Sequence, residues 1–273
     1  MILSMVGARM SLFQQIKARF RALFPRRYAW PAVDILLSGG QHLHLVGSIH
    51  MGTRDMSPLP SGLLKQLARA DALVVEADIS GHDSPFADLA IPPPLNERLT
   101  ESQLAELERV AHEVGLSLAM LDTQPLWQIA MVLQATQAQR LGLRGDYGID
   151  YQLLTLAKSH QLPVIELEGA ESQVALLRQL PEDGLLLLDD TLTHWHTNAR
   201  LLQTMISWWL DAPPSDKQLA LPSTFSESLY DVLMHERNQA WQTRLHALPA
   251  GRYVVAVGAL HLYGEGNLPS LLK

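Results

Sequence analysis

Strand-length stretches rich in apolar residues stand at the two ends of the chain. Trp30–Leu37 and Gln41–Val46 read as strands joined by a Ser38-Gly39-Gly40 hairpin turn, and Arg252–Val257 reads as a last strand. Between them, Ala72-Leu73-Val74-Val75 is a short continuous apolar run of buried-strand length, and Pro163–Leu167 reads as a strand with Glu166 near its end. The rest follows helical spacing. Helices are predicted for Ser61–Ala70, from Thr100 to a stop at Gly115, Pro125–Leu141, from Gly148 to near His160, Glu171–Leu180, Leu185–Leu210, Phe225–Met234 and Glu236–Leu248. Thr100 with Gln103 forms a capping-box pattern, and Thr191-Leu192-Thr193 marks where Leu185–Leu210 divides in two. Gly81–Asn96 and Pro213–Gln218 read as loop and linker, and Asn267–Lys273 as a short tail. Strands separated by helices predict an α/β (or α+β) fold, a central mixed β-sheet flanked by helices. No tandem repeat is visible. The expected organisation is a basic amphipathic helix at 1–28 and one domain at 29–273, with a helical elaboration at about 85–147 over one sheet face.

Two strand ends resemble each other. Leu43–Pro60 contains V-G-S-I-H-M, and Tyr253–Pro269 contains V-G-A-L-H-L. In both, a proline follows the histidine by eight positions, His50 to Pro58 and His261 to Pro269. With 17 Gly and 11 His among 273 residues, a bare G-x-x-H occurs about once by chance. The weight therefore lies in the shared setting: an apolar strand before the glycine, apolar residues on both sides of the histidine, and the proline in register. Glycine at such a place permits a positive φ or a close backbone approach. Polar residues just past buried strands are where open α/β sheets place their sites. The two motifs are expected to meet in one cleft.

Composition narrows the chemistry. The chain is 47% hydrophobic, enough for a sizeable core, and its formal net charge of −7 argues against general nucleic-acid binding. It has no cysteine, so disulfides, zinc–thiolate sites and cysteine nucleophiles are excluded. Any metal must sit on His, Asp, Glu or other oxygen ligands. No nucleotide fingerprint is present, and nothing implies haem. Residues 1–33 carry Arg9, Lys17, Arg19, Arg21, Arg26 and Arg27 with no acid, and Leu12, Phe13, Ile16, Phe20, Leu23 and Phe24 fall on one helical face. That stretch has neither the apolar core nor the cleavage site of a signal peptide, and no run reaches the ~18 apolar residues of a membrane span. The expectation is a cytoplasmic protein, with residues 11–27 available for peripheral contact with an anionic membrane face. Met10 is an alternative start.

The candidate site is His50, Glu76 with its neighbour Asp78, Glu168 and His261, each just past an inferred strand. Two imidazoles and one or two carboxylates suit a divalent first-row metal, which lowers the pKa of bound water and polarises a carbonyl. Arg237, at an inferred helix start, is a candidate clamp for a carboxylate or oxyanion. His235-Glu236-Arg237-Asn238 is followed by Gln239, so the H-E-x-x-H motif is absent. His42 and His44, two apart on a strand, suit either a metal or the wet face of a sheet. His194 and His196 face apart on a helix. Ser48 lacks the G-x-S-x-G context of a nucleophile elbow.

Taken together, V-G-S-I-H-M-G with P-L-P, V-V-E-A-D, G-I-D-Y-Q-L-L, V-I-E-L-E-G with Gln173, E-R-N-Q-A-W and V-G-A-L-H-L-Y-G-E-G-N-L-P resemble the TraB/GumN/PrgY family, related to the animal Tiki proteins. The resemblance runs from about Trp30 to Lys273, in the family's order. It implies a sheet flanked by helices with both G-x-x-H motifs in one cleft. From the Tiki side it implies a metal-dependent protease, active with manganese or cobalt. The matching positions are His50, Glu76, Arg237, Asn238 and His261. The expected catalytic set is His50, Glu76, His261 and Arg237. Ser48, Asn238 and Glu168 are expected to contact substrate, and His50, Glu76 and His261 to hold Mn, Co or Zn. The partner would be a peptide or small-molecule substrate. The alternative is a non-catalytic module that binds a ligand or peptide in the same cleft.

Overall fold

A computed structural model describes residues 27–78, 91–215, 219 and 221–273. The helix expected within residues 1–28 and most of the loop after Asp78 lie outside these. Five strands form one sheet: β1 (Ala32–Leu36), β2 (Gln41–Ser48), β3 (Ala72–Val75), β4 (Val164–Glu166) and β5 (Gly251–Gly258), in the order β1-β2-β5-β3-β4. β1 and β2 form the expected antiparallel hairpin. β2, β5, β3 and β4 are all parallel, so their C-terminal ends share one edge. This is a mixed α/β sheet.

Side-chain alternation sorts the sheet's two faces. Val46, Leu73, Val75, Val254 and Ala256 pack against the helices Ser61–Leu67 and Ile149–Ser159, through Leu63, Leu153, Leu154 and Ala157. Leu43, Leu45, Val74, Val255 and Val257 pack on the other side against Trp241 and Leu245 of the helix Glu236–His246. A third cluster is wholly helical. It joins Leu107, Trp127 and Leu133 to Val174, Leu188, Trp195 and Leu229, so it draws on chain well beyond residue 147. The break near Thr193 is present, with helices Leu185–Thr193 and Trp195–Leu210 meeting at His194. Thr100 and Gln103 form the capping box. Among the described residues, no helix is long and apolar enough to cross a membrane.

Two expectations need correction. His44 is not on a wet face. It is 5% exposed, its Nδ1 faces Asp34 at 2.8 Å, and its Nε2 accepts from Trp30 Nε1 at 3.4 Å. Both ring nitrogens are engaged inside the fold, whereas His42 is exposed. The second correction concerns Arg237. One π-helical turn, Asp231–His235, joins Glu227–Tyr230 to Glu236–His246 without leaving helical backbone. Arg237 therefore lies inside a helical run, with no free helix N-terminus beside it.

Candidate functional site

β2 and β5 are neighbours, and their register pairs Ser48 with Gly258. The two motifs thus stand side by side, one residue out of step. Neither motif glycine has a positive φ, so close approach is what they provide. A Cβ on Gly47 would lie 3.1 Å from the Ala259 Cα and the Leu262 Cδ1. A Cβ on Gly258 would lie 3.4 Å from both Glu76 Oε1 and His261 Cδ2. Past Gly47 the chain leaves the strand and bends at His50, while past Gly258 it closes into a 3-10 turn, Ala259–Leu262, that carries His261.

Glu76 extends from the end of β3. Its backbone carbonyl accepts from Glu168 N (2.9 Å) and Gly169 N (3.1 Å), which ties the end of β4 to the end of β3. Gly169 has φ 90°, which swings the chain from Glu168 into the helix Ala170–Arg178. The two acids so placed grip one guanidinium. Arg237 Nη2 donates to Glu76 Oε2 at 2.7 Å, and its Nε donates to Glu168 Oε1 at 2.8 Å. Its Nη1 donates to the Leu233 carbonyl at 3.2 Å, within the π-helical turn. Its Cζ lies 4.7 Å from the Trp241 ring centre, a cation–π contact. Burial opposes the guanidinium's charge, but Glu76 and Glu168 outweigh it and hold Arg237 protonated.

His261 is 4% exposed, its ring centre 4.4 Å from that of Trp241. Its Nδ1 faces Asn238 Oδ1 at 2.7 Å, and the Asn238 Nδ2 donates to the Gly266 carbonyl at 3.0 Å. The amide oxygen can only accept, so the His261 proton sits on Nδ1. Its Nε2 is then an acceptor, with Arg237 Nη1 at 3.4 Å. Burial pushes its pKa down to about 4, further than the pull of Glu76 can restore, and Arg237 adds to the drop.

His50 is set differently. Its side chain is 67% exposed, and its Nδ1 bonds to Asp150 Oδ2, whose own side chain is 9% exposed. The pairing follows from local chain packing. Ile149 N donates to the Ile49 carbonyl at 2.9 Å, and Gly148 lies so close to the His50 carbonyl that a side chain there would collide. Asp150 therefore enters the first turn of Ile149–Ser159 directly beside the ring. Its charge raises the His50 pKa to about 9, against an opposing desolvation effect and with help from Glu76; solvent contact over most of the ring tempers this pull. Burial alone would push the Glu76 carboxyl up. The His261, Arg237 and His50 side chains and the Gly258 N–H, at 2.6 Å from Oε1, outweigh it and hold that pKa below the usual value.

The expected residues thus reach one edge but fall into two sets. Glu76, Glu168, Arg237 and His261 are directly bonded to one another or share a partner. Ser48, His50 and Glu76 line a small pocket with Asp150 and Gln173. Asn238, 2% exposed, supports His261 from behind and is not open to a ligand. Asp78 turns away, with its N–H on Glu166 and its carboxylate on Lys158. Among the described residues, no three His, Asp or Glu side chains are arranged to hold a metal ion. The Glu76 oxygens already accept from Gly258, Arg237 and Gln173. Asp150 and Gln173 carry no role in the reading of single positions. Their signal lay in G-I-D and in the segment after V-I-E-L-E-G, where a polar residue opens a helix next to a strand end.

Comparison with known proteins places this geometry in context. The model of the TraB/PrgY/gumN family matches residues 35–273. A protein of Escherichia coli (strain K12), bearing the name "Uncharacterized protein YbaP", is 64% identical over 264 residues, 97% of this chain and 100% of that protein. A protein of Shigella flexneri with the same name matches to the same extent. No solved structure matches the chain.

Proposed function

The chain belongs to the TraB/PrgY/gumN family, and we propose that it is a divalent-metal-dependent hydrolase of peptide or related amide bonds. One observation carries the reading. At a single strand edge, two imidazoles each have Nδ1 engaged by an oxygen, at Asp150 and at Asn238. Each ring, when neutral, is thereby left with Nε2 as its basic nitrogen, and the Glu76 carboxylate interacts electrostatically with both. An outer oxygen that fixes the tautomer and ring plane is the usual support of a metal-binding histidine.

The donor chemistry fits Mn, Co or Zn. Charge fits as well. With both imidazoles neutral, Glu76, Glu168 and Asp150 outnumber Arg237 by two negative charges, which a divalent ion would neutralise. His50, Glu76 and His261 would hold the ion, with Glu76 giving up its bond to Arg237. When bound, such an ion supplies Lewis acidity to a carbonyl or a water. The chain's own residues do the rest. Glu168 anchors Arg237 through Nε, so the guanidinium stays beside the site as a donor for developing negative charge. Asp150 and Asn238 prevent the rings from flipping. Gln173 holds Glu76 at 3.2 Å.

The test is cleavage of a mixed peptide library, read by mass spectrometry, after chelation and after adding back each metal. Manganese or cobalt should raise cleavage, and His50→Ala should abolish it. Cleavage untouched by chelator overturns the metal dependence. Saturable peptide binding without turnover overturns the hydrolase and leaves a binding module. The basic stretch at 11–27 extends the proposal to contact with an anionic membrane surface, which liposome flotation with and without residues 1–27 tests.

A further inference from the structure

Within that hydrolase reading, we propose that the pocket between the ends of β2, β3 and β5 seats the attacking water, with Ser48 and Asp150 as the residues that hold it. Ser48, His50, Glu76, Asp150 and Gln173 supply the polar walls over an apolar floor. The free volume is ≈ 10 Å³, about the room one water needs.

Most polar atoms around the pocket are already taken. Glu76 Oε1 accepts from Gly258 N, and Oε2 from Arg237 and Gln173. His50 Nδ1 belongs to Asp150 Oδ2. Two groups remain. The other Asp150 oxygen, Oδ1, is buried with no hydrogen-bond partner. A carboxylate oxygen left so is costly, and an ordered water is its ordinary complement. The second group is the Ser48 hydroxyl, on a residue only 3% exposed that lines the pocket.

The two are chemically complementary toward a single water. Asp150 Oδ1 can only accept, so it takes one water proton in a hydrogen bond. The Ser48 hydroxyl can donate to one water lone pair. The second lone pair is left for an acyl carbon presented from the cleft, beside His50. In the hydrolysis, the water oxygen forms the new C–O bond and the C–N bond breaks. One water proton ends on the departing amine, and the other on the carboxylic acid product. The assignment makes Ser48 a holder of the nucleophile, not a nucleophile itself, in keeping with its position at a strand end without an elbow.

The test combines a crystal structure of the full chain, at a resolution that orders waters, with kinetics of Ser48→Ala and Asp150→Asn on a peptide cleaved by the wild type. The expected results are a water bonded to Ser48 Oγ and Asp150 Oδ1, and kcat lowered about tenfold or more in each variant with KM little changed. A purely structural role would alter stability and leave kcat of the folded Ser48→Ala protein near wild type. A dry pocket, a cation refined in it, or wild-type kcat in Ser48→Ala overturns the assignment while cleavage by the wild type leaves the hydrolase reading standing. A wild type that cleaves nothing overturns both.

Discussion

His50 and His261 each stand three residues past a glycine at the end of neighbouring parallel strands, and their surroundings are opposite. His50 projects into solvent against a buried carboxylate, and its pKa rises to about 9. His261 is buried against a neutral amide with a guanidinium at its other nitrogen, and its pKa falls to about 4. One motif therefore presents a charged, accessible ring at neutral pH and the other an uncharged, fixed one. The spacing brings an imidazole to the edge. Its proton affinity comes from the fold around it: the Asp150 carboxylate for His50, and burial, with Arg237 adding to it, for His261.

The largest effect should come from the cation that serves the His261 side. Arg237→Met leaves Glu76 and Glu168 nearly buried without a counter-charge, and urea denaturation should report a loss of about 3–5 kcal/mol. A loss well under that, with Glu76 still ionised, would break the view that the guanidinium organises this half of the site.

The motif glycines come next. Gly47→Ala presses on the Ala259 backbone at 3.1 Å and should cost about 1–3 kcal/mol. Gly258→Ala makes ordinary contacts at 3.4 Å and should cost less. Equal losses would mean that the two motifs are packed alike after all.

Exchanging the partners sharpens the comparison. Asp150→Asn should lower the His50 pKa from about 9 toward the ordinary imidazole value, and Asn238→Asp should raise that of His261 from about 4. Imidazole NMR titration reads both. If neither moves, the partners do not set the difference.

The smallest effects are in the pH dependence of stability, and they have opposite signs. His261, depressed on folding, costs stability as pH falls from 6.5 toward 4, because the unfolded chain then binds the proton that the folded chain refuses. His50, raised on folding, contributes stability that is complete below 6.5 and lost as pH rises through about 9, less what solvent screens. Removing each imidazole in turn should flatten one limb of the thermal-stability profile. The His50 limb also bears on metal: its proton must leave before the ring can ligate, so metal affinity measured by calorimetry should increase with pH up to about 9.

Much of this was legible in the sequence. Alternation over Gln41–Leu45 marks β2 and a continuous apolar run, Tyr253–Val257, marks β5, and in both successive residues point to opposite faces of the sheet. The continuous apolar run in β3 marks a strand covered on both sides, whereas β4, at the sheet edge, is half-buried at Val164 and Ile165. Polar residues placed just after such runs had to emerge at a strand end, which is why Ser48, His50, Glu76, Glu168 and His261 were visible as candidates. Arg237 was visible too, as a clamp; what it clamps is Glu76 and Glu168 of the same chain.

Local pattern thus determined which residues arrive at the edge, since strand and helix periods are properties of neighbouring residues. Only the folded chain decided what each one meets there. Asp150 lies 100 residues from His50, and Arg237 lies 161 from Glu76. Charge, burial and hydrogen bonding act through space over a few ångströms and not along the sequence. For that reason two matching G-x-x-H motifs carry histidines of opposite character.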